Sequence, residues 1–328
     1  MREPTPTAGR LPGARLLTAA LATLIGVGVL AGCAGAARSA GPLRIAGGAA
    51  SGIYDAYASG LAGELRESGF DISATETGGS VDNLLRVGRG EALLGFAQAD
   101  TAADAVAGTG AFADPLPISA IARVYDEYVQ VVVPASSPAE TLADLAGLRV
   151  SVGERNSGVT VIADRVLDAA GVGGDRVEHV ALGIDASVAA LERGEIDAFF
   201  WVGGVPTPGI ATLSAAMELR MLPIAPEIIE RMGPDLAGVY RISDLPLGAY
   251  GTEGSVETMT VPNYLVVNAD APELLVAEAT GVLFRTRAEI ARTVPAVALL
   301  DRRQAIFTSP VPLHPGAADY YVRSRNPG

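Results

Sequence analysis

Residues able to hold a small polar ligand concentrate within residues 47–100, where two turns of small residues each precede a predicted helix. The first turn offers the Ser51 hydroxyl and leads to the Tyr54 ring, and the second offers the hydroxyls of Thr77 and Ser80. Backbone N–H groups at a helix start are unpaired and carry partial positive charge, which favours a bound carboxylate. The stretch therefore predicts a site for a small polar or anionic ligand.

Three more polar residues belong to the same stretch. Asn83 lies one turn into the second helix, and Gln98 and Asp100 follow a predicted buried strand. Crevices of open α/β sheets form at the carboxyl ends of strands, and an amide can both donate and accept hydrogen bonds. Asp100 either accepts from a ligand ammonium group or caps the helix after it. Ser80 as a plain helix cap and Asn83 as an exposed residue are the structural alternatives.

The elements that position these residues alternate between strand and helix. We predict strands at residues 43–46, 71–76 and 93–97, and helices at residues 54–68, 80–89 and 100–106. This alternation is typical of a parallel sheet wound by right-handed crossovers.

The alternation restarts further along the chain. We predict strands at residues 119–125, 128–134, 149–152, 177–180, 196–201 and 259–267, and helices at residues 142–145, 161–170, 187–193, 272–294 and 304–307. The predicted fold is α/β with two lobes, each a mostly parallel sheet flanked by helices, and a ligand cleft between them. Lobe one comprises residues 43–125 plus about 258–328, and lobe two comprises about 126–257. Crossing strands would let the cleft close by hinge motion.

The second wall of the cleft is predicted from residues near and beyond the hinge. Tyr125 and Glu127 lie where the chain leaves lobe one, and Glu127 is either an ammonium ligand or a surface carboxylate of the hinge. Ser157 and Thr160 belong to a polar turn before a helix and would hold the ligand from the side of lobe two.

The loop of residues 201–207 completes the predicted second wall. Pro206 stiffens this loop, and its glycines allow close approach of the backbone. Trp201 is either part of the core or a lid over the ligand, and Thr207 is a candidate contact.

The N-terminus has the pattern of an export signal. Arginines precede an apolar run at residues 16–30, which is short for a membrane-spanning helix, and small residues follow it. The four residues ending at Cys33 resemble the bacterial lipobox, which implies a lipid on this sulfur and cleavage before it. An uncleaved anchor helix and an ordinary signal are the alternatives. Residues 34–42 are then a flexible tether after a signal peptide of residues 1–33.

Composition excludes several classes of function. The net charge of −13, with arginine as the only strongly basic residue type, argues against nucleic acid, which needs a basic binding face. A single cysteine allows neither an internal disulfide nor a cysteine metal cluster. The sequence has no His-Ser-Asp signature, no metal-ligand spacing and no nucleotide loop with a lysine. We therefore expect no enzyme activity, no cofactor and no metal.

Several stretches resemble the TAXI family of solute receptors for tripartite (TRAP) transporters. The similar stretches are GGAASGIYDAYASGLAGEL, TETGGSVDNLLRVGRGEALLGFAQAD, SVGERNSGVTVIADRVLDAAGV, GEIDAFFWVGGVPTP and LHPGAADYY, in collinear order. The family pattern has a second aromatic where this chain has Asp55, and a Pro-Glu pair where it has Asp126 and Glu127. The resemblance implies a type II periplasmic-binding-protein fold.

The resemblance also implies a function. It implies an extracytoplasmic receptor, anchored by lipid to the outer face of the cytoplasmic membrane, that delivers its solute to a multi-spanning TRAP membrane subunit. The implied solutes are glutamate, glutamine or dicarboxylates, and such receptors are usually monomers. An exported sensory module and an enzyme on the same scaffold are the alternatives, because a fold alone does not settle function.

Overall fold

The structure is a computed structural model that describes residue 1 and residues 42–325, apart from residues 235, 237 and 253. Most of the predicted signal, the predicted lipid-attachment residue Cys33 and most of the predicted tether lie outside the described residues. Among the described helices, none is long and apolar enough to cross a membrane.

Strands and helices alternate through most of the described chain. The strands are β1 Leu43–Ala46, β2 Ile72–Thr75, β3 Leu94–Gln98, β4 Ile118–Pro134, β5 Arg149–Ser151, β6 Glu178–Val180, β7 Ala198–Gly203, β8 Leu219–Met221, β9 Arg241–Asp244 and β10 Glu257–Asn268. The helices are α1 Ile53–Glu67, α2 Ser80–Gly88, α3 Ala99–Ala107, α4 Gly158–Ala169, α5 Ile184–Glu192, α6 Pro208–Ala216, α7 Pro226–Arg231, α8 Glu273–Arg285, α9 Arg287–Ile290 and α10 Pro315–Arg325.

The strands form a sheet in the order β2-β1-β3-β10-β4-β7-β5-β6, with β8 paired to β4 and β9 to β10. β1 is parallel to β2 and β3, and β5 is parallel to β6 and β7. The long strands β4 and β10 are antiparallel to each other and connect the two parallel groups. The fold is therefore α/β with two lobes, one around each parallel group. We propose the lobe boundaries predicted above, near residues 125 and 258.

Burial explains why these segments form strands and helices. Every residue of β3 is buried, as expected of a central strand covered on both faces. In α1 the buried residues recur at helical spacing, and Tyr57, Leu61 and Leu65 pack with Ile121 of β4. The carboxyl end of β3, which carries Gln98, is thereby held rigidly at the edge of the cleft.

Some predicted elements differ in the structure. The two strands predicted on either side of residue 126 are one continuous strand, β4, because its bonding to β10 runs unbroken through Asp126. The helix predicted at residues 272–294 is interrupted at Thr286, where the backbone leaves helical geometry. Residues 304–307 form turns instead of the predicted helix.

Among the described α-helices and strands, five were not predicted: α6, α7, α10, β8 and β9. Both α6 and α7 begin with a proline in the first turn, where it is well tolerated, so the proline marks a helix start here. β8 and β9 are short strands at the sheet margin that exist through pairing with β4 and β10.

Candidate functional site

Four helix N-termini converge on one cavity between the lobes. The residues before the first turns of α1, α2, α4 and α5 are Gly52, Gly79, Ser157 and Gly183, and all four line the cavity. None of the three glycines offers a side chain to cap its helix, so the first-turn N–H groups depend on backbone, water or ligand. Gly79 has φ 112°, a backbone region that strongly favours glycine. The arrangement suits an anionic group of a ligand.

Two carboxylates also line this cavity, Glu127 from β4 and Glu154 from the turn before α4. Among the described residues of its lining, none carries a positive charge. The cavity therefore combines two carboxyl groups with the positive ends of helix dipoles.

Glu127 is held in place by its neighbours. The side chain is 4% exposed, accepts a hydrogen bond from the Tyr125 hydroxyl at 3.0 Å, and accepts another from Gln98 Nε2 at 3.3 Å. Burial raises the pKa of the Glu127 carboxyl to about 7, although the hydrogen bonds from Gln98 and Tyr125 oppose the shift. The Tyr54 hydroxyl donates to Asn263 Oδ1, so β10 supports this side of the cavity.

Two neighbours in the cavity wall, Ser80 and Glu127, orient Gln98. Its backbone N–H donates to Ser80 Oγ at 3.1 Å, and its Nε2 donates to Glu127. Its Oε1 is buried without a partner among the described residues. Because a buried unpaired acceptor is unfavourable, this oxygen is suited to receive a hydrogen bond from a ligand.

The two lobes touch directly beside the cavity. The backbone N–H of Asp82 donates to the Asn156 carbonyl at 3.2 Å. A Cβ on Gly158 would lie 2.0 Å from Gln98 Oε1 and 2.6 Å from Ser80 Oγ. The structure is therefore in a closed arrangement in which Gly158 packs tightly against the side chains of Gln98 and Ser80.

Among the predicted site residues, six line the cavity: Tyr54, Ser80, Gln98, Glu127, Ser157 and Trp201. Ser157 also caps α4, because its Oγ accepts from the Thr160 N–H at 3.1 Å. Trp201 is partly exposed, and its Nε1 donates to Thr207 Oγ1 at 3.0 Å. The tryptophan is thus a fixed wall of the cavity.

Four predicted residues line a neighbouring space instead: Ser51, Tyr125, Pro206 and Thr207. This side cavity shares Gly52, Ile53, Glu127 and Trp201 with the first. Thr207 is tied to the scaffold, since its N–H donates to the Tyr250 hydroxyl at 2.7 Å.

Thr77, Asn83 and Thr160 have structural partners and are outside the cavity lining. The Thr77 hydroxyl donates to Asn83 Oδ1 at 2.6 Å, and Asn83 Nδ2 donates to the Phe96 carbonyl at 2.7 Å. The Thr160 hydroxyl donates to the Glu154 carbonyl at 2.7 Å. These residues support the turns around the cavity. The alternative of Asn83 as an exposed residue is also wrong, because it is fully buried.

Asp100 does not reach the cavity, so its predicted contact with a ligand ammonium group is corrected. Its buried carboxylate lies 2.5 Å from Arg165 Nη1 and accepts from the Tyr240 hydroxyl at 2.7 Å. Arg165 also pairs with Asp104 at 2.5 Å. Burial raises the pKa of Asp100, and Arg165 and Tyr240 oppose the shift. Ser80 is likewise not a cap, because it is the first residue of α2.

Sequence reasoning missed Glu154, Gly183 and Asn263. Glu154 lies in the polar turn before α4 that the sequence predicts, and a carboxylate in such a turn was the available signal. Gly183 was missed because α5 begins three residues before the predicted helix. Nothing in the local sequence of Asn263 indicates that β10 brings it to Tyr54. Within the described residues, no group of three acidic, histidine or cysteine side chains is placed to hold a metal ion.

A comparison with models of known protein families classifies this chain. A family model described as the NMT1-like family matches residues 45–323. The chain belongs to the NMT1-like family. The match covers both lobes of this NMT1-like protein, whereas the narrower TAXI assignment stays a prediction.

Several solved structures are similar to this NMT1-like protein. The protein XAC2383 of Xanthomonas citri, bound to chloride ion, is similar with a TM-score of 0.50 at 10% identity, over 86% of this chain and 96% of that chain. The periplasmic aliphatic sulphonate binding protein SsuA of Escherichia coli is similar with a TM-score of 0.45 at 18% identity, over 85% and 78%. The alkanesulfonate-binding protein SsuA of Xanthomonas axonopodis pv. citri, bound to MOPS, has a TM-score of 0.46 at 19% identity, over 85% and 83%.

The buried carboxyl of Glu127 predicts a pH dependence of stability. Its pKa of about 7 in the fold lies above the ordinary value of 4.5, so the proton favours folding. The stabilisation is fully present below pH 4.5 and is lost as the pH rises through 7; the two pKa values correspond to roughly 3 kcal/mol. We expect urea unfolding without ligand to show this decline and Glu127→Gln to flatten it. An unchanged pH slope in the variant would contradict the prediction.

Proposed function

We propose that this NMT1-like protein is an extracytoplasmic receptor that captures an amino acid carrying both an ammonium and a carboxylate group. The observation that carries the proposal is the lining of the cavity, where Glu127 and Glu154 face four helix N-termini. An ammonium group matches the carboxylates and a carboxylate matches the helix starts. Glutamine and glutamate are the solutes of this class that the TAXI resemblance suggests.

Glu127 and Gln98 supply the proposed ammonium site. A carboxylate oxygen and the unpaired Gln98 Oε1 accept hydrogen bonds, which an ammonium group donates in three directions. The nearby Tyr125 hydroxyl fixes the carboxylate without neutralising it. Binding of a cation favours the ionised form of Glu127, so solute binding would release a proton below about pH 7.

A dicarboxylate without an ammonium group fits this lining less well. Its two negative charges would meet Glu127 and Glu154, and no positive side chain among the described lining residues would offset them. Like charges brought together in a partly desolvated site are unfavourable. Within the solute classes expected from the sequence, the charges of the cavity favour amino acids.

Closure of the lobes is the proposed mechanism. Solute first contacts lobe one at the starts of α1 and α2, and Ser157, Gly158 and Trp201 of lobe two then exclude water. A ligand shifts such an equilibrium only through contacts that differ between the open and closed states. Contacts from the start of α4 are of this kind, because they form only on closure.

Delivery to a membrane transporter completes the proposal. We infer a lipid anchor at Cys33 on the outer face of the cytoplasmic membrane, a monomeric receptor and a TRAP membrane subunit as its partner. The N-terminal signal pattern and the TAXI resemblance support these inferences. The absence of catalytic signatures in the sequence supports a binding role without an enzyme activity or cofactor.

Calorimetry with the Glu127→Gln variant tests the solute class. We expect glutamine or glutamate to bind the wild type and 2-oxoglutarate and succinate not to bind. Glu127→Gln keeps the shape but removes the buried charge, and affinity should fall by roughly 30-fold or more, equivalent to about 2 kcal/mol. The matched control is Glu67→Gln, an exposed carboxylate at the end of α1. Equal binding of dicarboxylates, or unchanged amino-acid affinity in Glu127→Gln, would contradict the proposed ammonium site.

A further inference from the structure

Four arginines line a concavity on lobe one, away from the ligand cavity. Arg285 and Arg287 come from the junction of α8 and α9, and Arg302 and Arg303 come from the turns that follow. We call these four residues the arginine surface. Asp301 is the only carboxylate among the described residues of this lining.

The arginine surface lacks internal counter-charges. Seven arginines elsewhere in the described chain form ion pairs, but none of these four does so within the described residues. Residues 285–303 hold five arginines against two carboxylates, a net charge of +3 in a chain whose net charge is −13. The Asp301 carboxylate already accepts hydrogen bonds from the backbone N–H groups of Arg303 and Gln304. Four like charges thus remain together although the chain has acidic residues in excess.

Packing holds two of these arginines in place. The Arg302 guanidinium lies 5.5 Å from the centre of the Phe284 ring and 5.8 Å from that of Tyr320. Arg287 Nη1 donates to the Leu300 carbonyl at 2.5 Å. Fixed guanidinium groups lose little entropy on binding, and their planar geometry matches carboxylates.

We propose that the arginine surface docks an acidic segment of a protein partner. Arginine and aromatic residues are enriched in protein interfaces, and Phe307, which is 59% exposed, lies in the same concavity. An anionic lipid surface is a poorer counterpart, because it is broad, whereas these arginines line a concavity that a peptide segment can enter. The surface is separate from the ligand cavity, so docking stands or fails independently of the proposed solute.

Fluorescence anisotropy with a labelled octaglutamate peptide and the full chain tests the proposal. We expect binding that weakens with added salt, because exposed charges are screened. The Arg285→Glu/Arg303→Glu variant should bind roughly ten-fold or more weakly. Both side chains are exposed, so the thermal unfolding midpoint should stay unchanged. If the unfolding midpoint falls, the Arg285→Gln/Arg303→Gln variant replaces the glutamate variant, with the same expected loss of binding.

The matched control is Arg176→Glu/Arg231→Glu, which makes the same change in net charge at exposed arginines of lobe two. Its affinity should stay within about two-fold of wild type, since these positions are remote from the surface. Equal weakening in both variants would show that peptide binding depends only on net charge, and it would overturn the proposal. Absence of peptide binding would also overturn it, as would binding to phosphatidylglycerol vesicles with none to the peptide.

Discussion

Replacing Gly158 with alanine should strongly weaken solute binding while leaving both lobes folded. The added Cβ would lie 2.0 Å from Gln98 Oε1 and 2.6 Å from Ser80 Oγ, so both side chains would have to shift before the closed arrangement could form. A shift of the Gln98 amide would disturb its hydrogen bond to Glu127, and a shift of Ser80 would disturb its bond to the Gln98 backbone. Alanine is also a better helix former than glycine, so α4 itself should not be weakened.

Calorimetry with glutamine and glutamate measures this effect. We expect a loss of roughly 10- to 100-fold, since an overpacked buried contact typically costs about 1–3 kcal/mol. Gly63→Ala is the matched control, because this glycine lies in α1 and a Cβ there would meet no atom within 4 Å. The control should keep wild-type affinity. Wild-type affinity in Gly158→Ala would show that solute binds without the closure seen here.

Replacing Asp100 with alanine should cause the largest loss of stability. It removes a fully buried carboxylate and leaves Arg165 and Tyr240 without their shared partner. Removing one partner of a buried ion pair typically costs about 3–5 kcal/mol. Because Arg165 keeps Asp104 as a partner and is partly exposed, we expect a loss at the lower end of this range. Since Asp100 follows β3 and Arg165 lies on α4, the same change removes a contact between the proposed lobes.

Urea unfolding without ligand tests this expectation. The double variant Asp100→Ala/Arg165→Leu should recover part of the loss, since it removes both charges together. Glu195→Ala, in the exposed pair with Arg193, should leave the unfolding curve unchanged. An Asp100→Ala protein as stable as the wild type would show that the buried pair contributes nothing net.

Local patterns were sufficient to predict most elements of the fold. The buried run of β3, the amphipathic pattern of α1 and the glycine turns before α1 and α2 follow from short-range periodicity and backbone freedom. The short strands β8 and β9 escaped prediction because they are stabilised by pairing with residues about 85 and 15 positions away.

The sequence by itself determined that two α/β lobes carry polar turns at the carboxyl ends of strands, and it identified Ser80, Gln98, Glu127 and Ser157 as candidates. Those features depend on neighbouring residues only. Tertiary structure alone decided that Asp100 pairs with Arg165, 65 residues away, and that Glu154 faces the cavity. The charge that surrounds a ligand is the sum over several distant segments, so it becomes visible only when the fold brings those segments together.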